Sequence, residues 1–486
     1  MSAQAVQRAN RIKGFYVAMI TSFITCMLIF TLIGLSSVIK SKGTRQDYYL
    51  ASANVKPWLV GLSAVATNNS GYMFIGVIGY TYTTGLASIW LMIGWITGDF
   101  LSSMYVHKRL RQATERSGEV SYAGVLSHWH EGAFNGLQRL IGIVSLVFLT
   151  AYASAQLIAG GKALHVLLGW PLWSGAVMGA ILVSAYCFAG GIRASIWTDA
   201  AQSFVMVLAM GILLVVTLGD LGGIHSAISD MRKIDGFLDL FPKDLAFPGM
   251  VGGGLFIVSW LFAGISTVGQ PQIMVRFMTL DDSTNMRTAR IWYYSWFIIF
   301  YAMTTAVGML SRIYLADANT FDAELALPTI AQHVLPPPLV GLILAGIFAA
   351  TMSTADSLVL SCSASITHDM LPHNVERTWL LKLSTLLITA IALVLAISNN
   401  QSVFNMVILS WSGLASAFVP LLLTLCLGGR PSQQVSIAAV ITGFIVALGW
   451  RAAGLHTTVY EGLPGILSGL AILAILTPRK NCIHQS

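Results

Sequence analysis

Apolar residues run along the chain in long stretches separated by short polar ones, and the stretches have the length a helix needs to cross a bilayer, about 20 residues. Thirteen can be drawn: 15–38, 56–80, 87–106, 138–163, 172–190, 195–218, 253–279, 289–313, 338–365, 378–397, 402–427, 434–452 and 461–478. The pattern predicts an all-α integral membrane protein of about 13 transmembrane helices. The first run has no cleavage-site signature and reads as a helix that stays. The second and third are separated only by a Thr/Gly-rich turn.

Composition agrees with the pattern. Of the 486 residues, 56% are hydrophobic and 10% charged, against about 25% charged in a soluble domain. That excludes a soluble enzyme, a nucleic-acid binder and a disordered chain. The net charge of +7 belongs to short loops, as the positive-inside rule expects. Lys40, Lys42, Arg45 and Lys56 share one loop, and Lys108, Arg109, Arg111 and Arg116 another. Arg276, Arg287 and Arg290 flank 280–288, and Arg479 and Lys480 sit in the tail. With thirteen spans these fall on one side, the cytoplasm. Loops 81–86, 164–171 and 398–401 carry no Lys or Arg, and 219–252 and 314–337 are richer in Asp and Glu. The reading is a cell-membrane protein with its N-terminus outside and C-terminus inside. Arg8, Arg11 and Lys13 run against it. Cys26, Cys187, Cys362, Cys426 and Cys482 show no paired spacing, so no disulfide framework is expected.

Two runs are interrupted by residues that do not suit a plain lipid-facing helix. One is Ala64-Val65-Ala66-Thr67-Asn68-Asn69-Ser70-Gly71-Tyr72 in span 2. The other is Gly264-Ile265-Ser266-Thr267-Val268-Gly269-Gln270-Pro271-Gln272 in span 7. Pro271 removes a backbone donor, and unwound backbone at membrane depth is tolerated only in a cavity or inside protein. These are the first spans of two five-helix units, 2–6 and 7–11. Paired broken helices in corresponding places mark a transporter site, where freed carbonyls hold a cation and freed amides an anionic group.

Span 9 adds Ala350, Ser353, Thr354 and Ser357, which share a helical face. Hydroxyl and carbonyl oxygens suit a hard alkali cation, although small hydroxyl residues also line helix contacts. Three carboxylates inside spans are candidates by their cost, roughly 3 kcal/mol or more each: Asp356, Asp199 and Asp99. Asp199 can also be read as lying near a cytoplasmic helix end, and Asp99 as neutralised by Lys162 or a backbone group.

Together these stretches resemble the sodium:solute symporter family, its sodium/proline branch most closely, over roughly 40–430. The carriers are Asp47-Tyr48-Tyr49-Leu50-Ala51, the span 2 interruption, Gly190-Gly191-Ile192-Arg193-Ala194 with Trp197-Thr198-Asp199, Gly269-Gln270-Pro271-Gln272-Ile273 with Arg276-Phe277-Met278, and the span 9 run through Ser361-Cys362-Ser363-Ala364. The resemblance implies a ten-helix inverted-repeat (5+5) core over 56–427, with repeats at about 56–218 and 253–427. Residues 1–55 would hold the N-terminal tail and first peripheral helix, and 428–486 two more peripheral helices and a short tail. It implies sodium-driven import of a small organic solute, an amino acid such as proline or a related carboxylate, by alternating access. No cofactor beyond the coupling ion and no obligate protein partner are expected.

Carried over by residue, sodium would meet the carbonyls of Ala66, Asn69 and Ala350 and the hydroxyls of Ser353 and Thr354. A further sodium would use Asp199, Ser353, Asp356 and Ser357. Substrate contacts would be Asn68, Ser70, Tyr72, Tyr152, Gln156, Trp260, Thr267 and Gln270. The chain departs from the proline branch at Asn68 (an Asp there), Ala53 (an Arg) and Ala263 and Thr267 (aromatics), while Tyr152 matches. A membrane enzyme built on His128 and His130, or a sensor, are the other readings. No P-loop, nucleophile elbow or catalytic carboxylate pair supports the first, and the short tail leaves no room for a kinase.

Overall fold

The structure is a computed structural model that describes residues 3–130, 132–245, 247–315, 320–371, 377–398, 402–457 and 459–477. Arg479, Lys480 and Cys482 lie outside the described residues, as does most of loop 398–401. Among the described residues the chain is helical, and its one β-bridge joins Val55 to Leu280.

The principal helices are α1 (Ala3–Ser36), α2 (Pro57–Asn68), α3 (Ile78–Thr84), α4 (Ile89–Ser117), α5 (Asn135–Leu168), α6 (Leu172–Asp220), α7 (Gly249–Ile265), α8 (Pro271–Met278), α9 (Met286–Tyr314), α10 (Pro337–Ala364), α11 (Thr378–Ser398), α12 (Val403–Cys426), α13 (Gln433–Ala452) and α14 (Gly462–Leu476). Ten helical stretches among the described residues are long and apolar enough to cross a membrane, and 172–188 and α14 are shorter apolar helices. Among the described residues every apolar run expected from sequence is helical apart from the two interruptions. The count of thirteen crossings goes beyond those ten.

Spans 5 and 6 are two helices, Leu172–Phe188 and Gly190–Asp220, that meet at a kink within α6. Gly191 in α6 adopts φ 56°, ψ −141°, a left-handed φ that favours glycine. A Cβ there would also sit 2.5 Å from the Tyr48 carbonyl oxygen. Both interruptions break as their residues dictate. α2 ends at Asn68, and the chain resumes as a π-helical turn, Tyr72–Val77, leading into α3. α7 ends at Ile265 and passes through the 3₁₀ turn Ser266–Gly269 and an extended Gln270 before Pro271 opens α8. Pro57 and Pro271 each occupy a first helical turn, where a missing N–H costs nothing.

The two broken spans are tied at one end. The Val55 amide donates to the Thr279 carbonyl (3.1 Å) and the Asp281 amide to the Val55 carbonyl (3.1 Å). Buried Arg111 donates to the Leu280 carbonyl at 2.6 Å. It is therefore a structural clamp, not the free loop charge its place in 107–137 suggested. α10 and α12 form the core, 83% and 89% buried over their most apolar windows, whereas the stretches holding α1 and α13 are 28% buried and present apolar flanks outward.

Candidate functional site

The break in span 2 lies against α10. The Ser353 hydroxyl donates to the Ala66 carbonyl (3.1 Å) and to the Ala350 carbonyl (3.1 Å). The Thr354 hydroxyl donates to the Thr67 carbonyl (2.9 Å). Four of the five expected sodium residues are thus gathered, all buried, with Thr67 as an unforeseen fifth member. Asn69, expected through its carbonyl, is buried at the end of α2, and its side chain turns back onto that helix, Nδ2 donating to the Val65 carbonyl at 3.0 Å. The donor set is all oxygen and neutral, which suits a hard monovalent cation.

Next to it stands a buried ionic cluster. Asp199 is fully buried, not near an exposed helix end. Its Oδ2 accepts from Ser63 (2.6 Å) and lies 3.2 Å from Arg276 Nη2. Asp356 Oδ1 accepts from Ser195 (2.8 Å) and from Ser357 (3.1 Å), and is 3.6 Å from the same Nη2. Arg276 also bonds the Ser195 and Ser357 hydroxyls. Sequence reading counted Arg276 among charges flanking a loop. The structure corrects that, since it is 1% exposed on α8. Arg276, Ser63 and Ser195 were missed as members of this group. A buried carboxylate pair is the signal that calls for a buried cation, and Arg276 follows the Gly269-Gln270-Pro271 break by five residues. Thr67 links the two groups, its hydroxyl 3.1 Å from Ser357 Oγ.

The expected substrate residues divide. Tyr152 donates its hydroxyl to Ser70 (3.0 Å), and the Gly71 amide donates to Gln156 Oε1 (2.9 Å). A Cβ on Gly71 would come within 2.6 Å of the Thr351 methyl, so the break needs glycine there. Tyr72 stacks on Phe404 (5.3 Å) and packs beside Trp95 (5.7 Å). Trp95 meets Trp411 at 4.9 Å. Tyr80 joins Phe404 to Trp260, and Gln270 Nε2 donates to the Trp411 carbonyl (3.1 Å). Trp95, Tyr80, Phe404 and Trp411 were not foreseen, because isolated aromatics in apolar runs read as core. Tyr72 Oη, Gln156 Nε2, Trp260 Nε1, Thr267 Oγ1 and Trp411 Nε1 are buried with no hydrogen-bond partner, which native interiors rarely tolerate. Asn68 is set apart, its Nδ2 donating to Tyr293 Oη at 2.5 Å.

Lys162 does not neutralise Asp99. It pairs with Glu324 (2.7 Å) and Asp322 (3.2 Å). His128 Nδ1 lies 3.0 Å from the Gly124 carbonyl, and His130 Nε2 lies 3.0 Å from that of Gly429. The two rings thus bond separate carbonyls, and no group of three or more metal-ligating side chains occurs among the described residues.

Residues 48–443 match the model of the sodium:solute symporter family. The chain is 29% identical over 434 residues to a high-affinity proline transporter of Bacillus subtilis (strain 168), covering 87% of this chain and 90% of that protein. It is 28% identical over 464 residues to a sodium/proline symporter of Escherichia coli (strain K12), covering 91% and 90%. Among solved structures, a substrate-bound, outward-open sodium-coupled sialic acid symporter superposes with a TM-score of 0.76 at 17% identity, over 96% of this chain and 98% of that one. Mhp1, a nucleobase-cation-symport-1 family transporter, gives 0.57 at 14% identity, over 89% and 95%.

Proposed function

Because the chain belongs to the sodium:solute symporter family, we propose that this multi-pass membrane protein imports proline or a closely similar small solute with sodium by alternating access. The observation that carries the reading is the contact of the Ser353 and Thr354 hydroxyls with the Ala66 and Thr67 carbonyls at the break in span 2. Sodium there would bridge α10 to the broken span through Ala66, Asn69, Ala350, Ser353 and Thr354. It would favour the state in which that contact is closed, by its differential affinity for that state.

Solute would lie against the break, met by Ser70, Tyr72, Tyr152, Gln156, Trp260, Thr267 and Gln270, with Asn68 acting from behind. The unpartnered donors of Tyr72, Gln156, Trp260 and Thr267 support this, since a carboxylate solute supplies acceptors. A second sodium at Asp199, Asp356 and Ser357 is supported by two buried carboxylates that share one guanidinium. The proline reading rests on the relatives' names. A plasma-membrane location with the C-terminus in the cytoplasm rests on loop charge, and the division into a 5+5 core and peripheral helices on the paired breaks. Each sodium entering gains about 2.3 kcal/mol per 100 mV, enough for a substantial solute gradient.

The test is uptake of labelled proline into proteoliposomes with and without an inward sodium gradient, followed by competition across a panel of small solutes. Sodium-dependent accumulation competed by one solute class supports the reading. Absence of sodium dependence for every solute overturns it.

A further inference from the structure

Asp99 is the one carboxylate in α4 within the membrane-spanning part of that helix, and it is fully buried. Its Oδ2 accepts a hydrogen bond from Tyr293 Oη at 2.7 Å, and that oxygen accepts from Asn68 Nδ2 at 2.5 Å. Its Oδ1 is buried without a hydrogen-bond partner.

Basic groups around it are engaged elsewhere or too far. Lys162 holds Glu324 and Asp322, and Arg276 holds Asp199 and Asp356. On α9 the facing titratable groups are Tyr293, Tyr294 and, one turn from Tyr294, Arg290. On α4 itself His107 lies two turns away, stacked 3.7 Å from the Phe277 ring. α7, packed against this face through Gly98 and Leu261, carries no titratable side chain, and neither does α2. Among the described residues no Lys, Arg or His nitrogen comes within 4.0 Å of the carboxylate.

An ionised carboxylate in such surroundings is costly. We propose that Asp99 is a proton-binding site, the proton residing on Oδ1, and that its occupancy sets how firmly Asn68 is held at the break in span 2. The geometry allows both states. A proton on Oδ1 leaves Oδ2 free to accept from Tyr293. Its departure to water leaves a carboxylate, and the Tyr293 bond becomes charge-assisted and stronger. That polarises the Tyr293 hydroxyl and makes its oxygen a better acceptor for Asn68. Asn68 directly follows Ala66 and Thr67, whose carbonyls meet Ser353 and Thr354. Proton and sodium occupancy are therefore linked, each altering the affinity for the other.

The test is infrared difference spectroscopy of the reconstituted full chain, titrated over about pH 5 to 9, with sodium chloride or choline chloride. The wild type is expected to lose a carboxylic-acid carbonyl band as pH rises, Asp99→Asn to lack that band, and Asp99→Glu to restore one. Tyr293→Phe, which keeps the carboxylate but removes its donor, is expected to retain the band and move its midpoint about tenfold towards lower proton concentration. Sodium is expected to move the wild-type midpoint several-fold, and Tyr293→Phe to diminish that movement. A titration identical in wild type and Asp99→Asn, or, should that variant not fold, an unmoved midpoint in Tyr293→Phe, overturns the proposal. The readout needs no solute, so it stands apart from the proline reading.

Discussion

The Arg276 guanidinium lies 3.2 Å from the Asp199 carboxylate, both wholly inside the protein. Three spans meet there: α6 brings Asp199, α8 Arg276 and α10 Asp356. One cation serves two anions, so removing it leaves both buried charges uncompensated.

Arg276→Gln is therefore expected to destabilise the protein by about 3–5 kcal/mol, the cost of breaking a buried pair. Adding Asp199→Asn should recover part of that loss. Thermal unfolding of the two single variants and the double variant in detergent measures the coupling. Additive losses would mean that the two side chains do not act as a pair.

Ser353→Ala and Thr354→Ala each delete a hydroxyl that joins α10 to the broken span. Each is expected to raise the sodium concentration for half-maximal uptake several-fold, with a smaller change in solute affinity at saturating sodium. An unchanged sodium dependence in both variants would move the cation site elsewhere.

Tyr152→Phe removes the hydroxyl that donates to Ser70 beside the break. The loss of one such bond, about 1 kcal/mol, corresponds to a roughly fivefold higher KM for the solute with sodium dependence retained. Uptake kinetics at saturating sodium decide it, and a change in sodium dependence alone would contradict the assignment.

Glu119 carries a pH prediction. Burial pushes its carboxyl up, but the hydrogen bond from His368 (2.6 Å) and the nearby His368, His128 and Arg45 charges outweigh burial and hold it below its ordinary 4.5. The folded state thus binds this proton less readily than the unfolded chain. Its contribution to stability is fully present above 4.5 and is lost as pH falls through the lower folded value. Unfolding midpoints followed from neutral pH into that acid range should fall less steeply in Glu119→Gln than in the wild type.

Glu324 anchors another junction. It accepts from Lys162, from the Ser402 hydroxyl (2.7 Å) and from the Val403 (3.1 Å) and Phe404 (2.9 Å) amides at the start of α12. Glu324→Ala removes the carboxylate from that helix N-terminus and leaves Lys162 buried without it. A loss of several kcal/mol is expected in the same unfolding assay. A loss under about 1 kcal/mol would mean the junction is solvated.

The helices were legible because their signal is local. A run of apolar residues cannot stay in water, and its backbone must be satisfied within itself in lipid. The breaks were legible for the same reason. Asn68, Asn69, Ser70 and Gly71, and Gly269, Gln270 and Pro271, disfavour helix by their own chemistry. The hydroxyl face of α10 followed from helical spacing, and Ala66 and Ala350 from resemblance.

What the chain alone does not encode locally is which polar groups find each other across spans. Lys162 seemed a partner for Asp99, but sequence distance says nothing of its reach to Glu324, whose oxygens also cap α12. Arg276 looked like a loop charge because it closes an apolar run, whereas the unwound turn before Pro271 lets α8 carry it inward to two carboxylates. Asn68, expected among the substrate contacts, also holds Tyr293, a partner 225 residues away that no local pattern names. Sequence determined the spans, the breaks and the kind of ligand, since each depends on a residue and its neighbours in the chain. Tertiary structure decided the pairing of buried charges, because in a low-dielectric interior a charge takes whichever partner packing brings within a few ångströms.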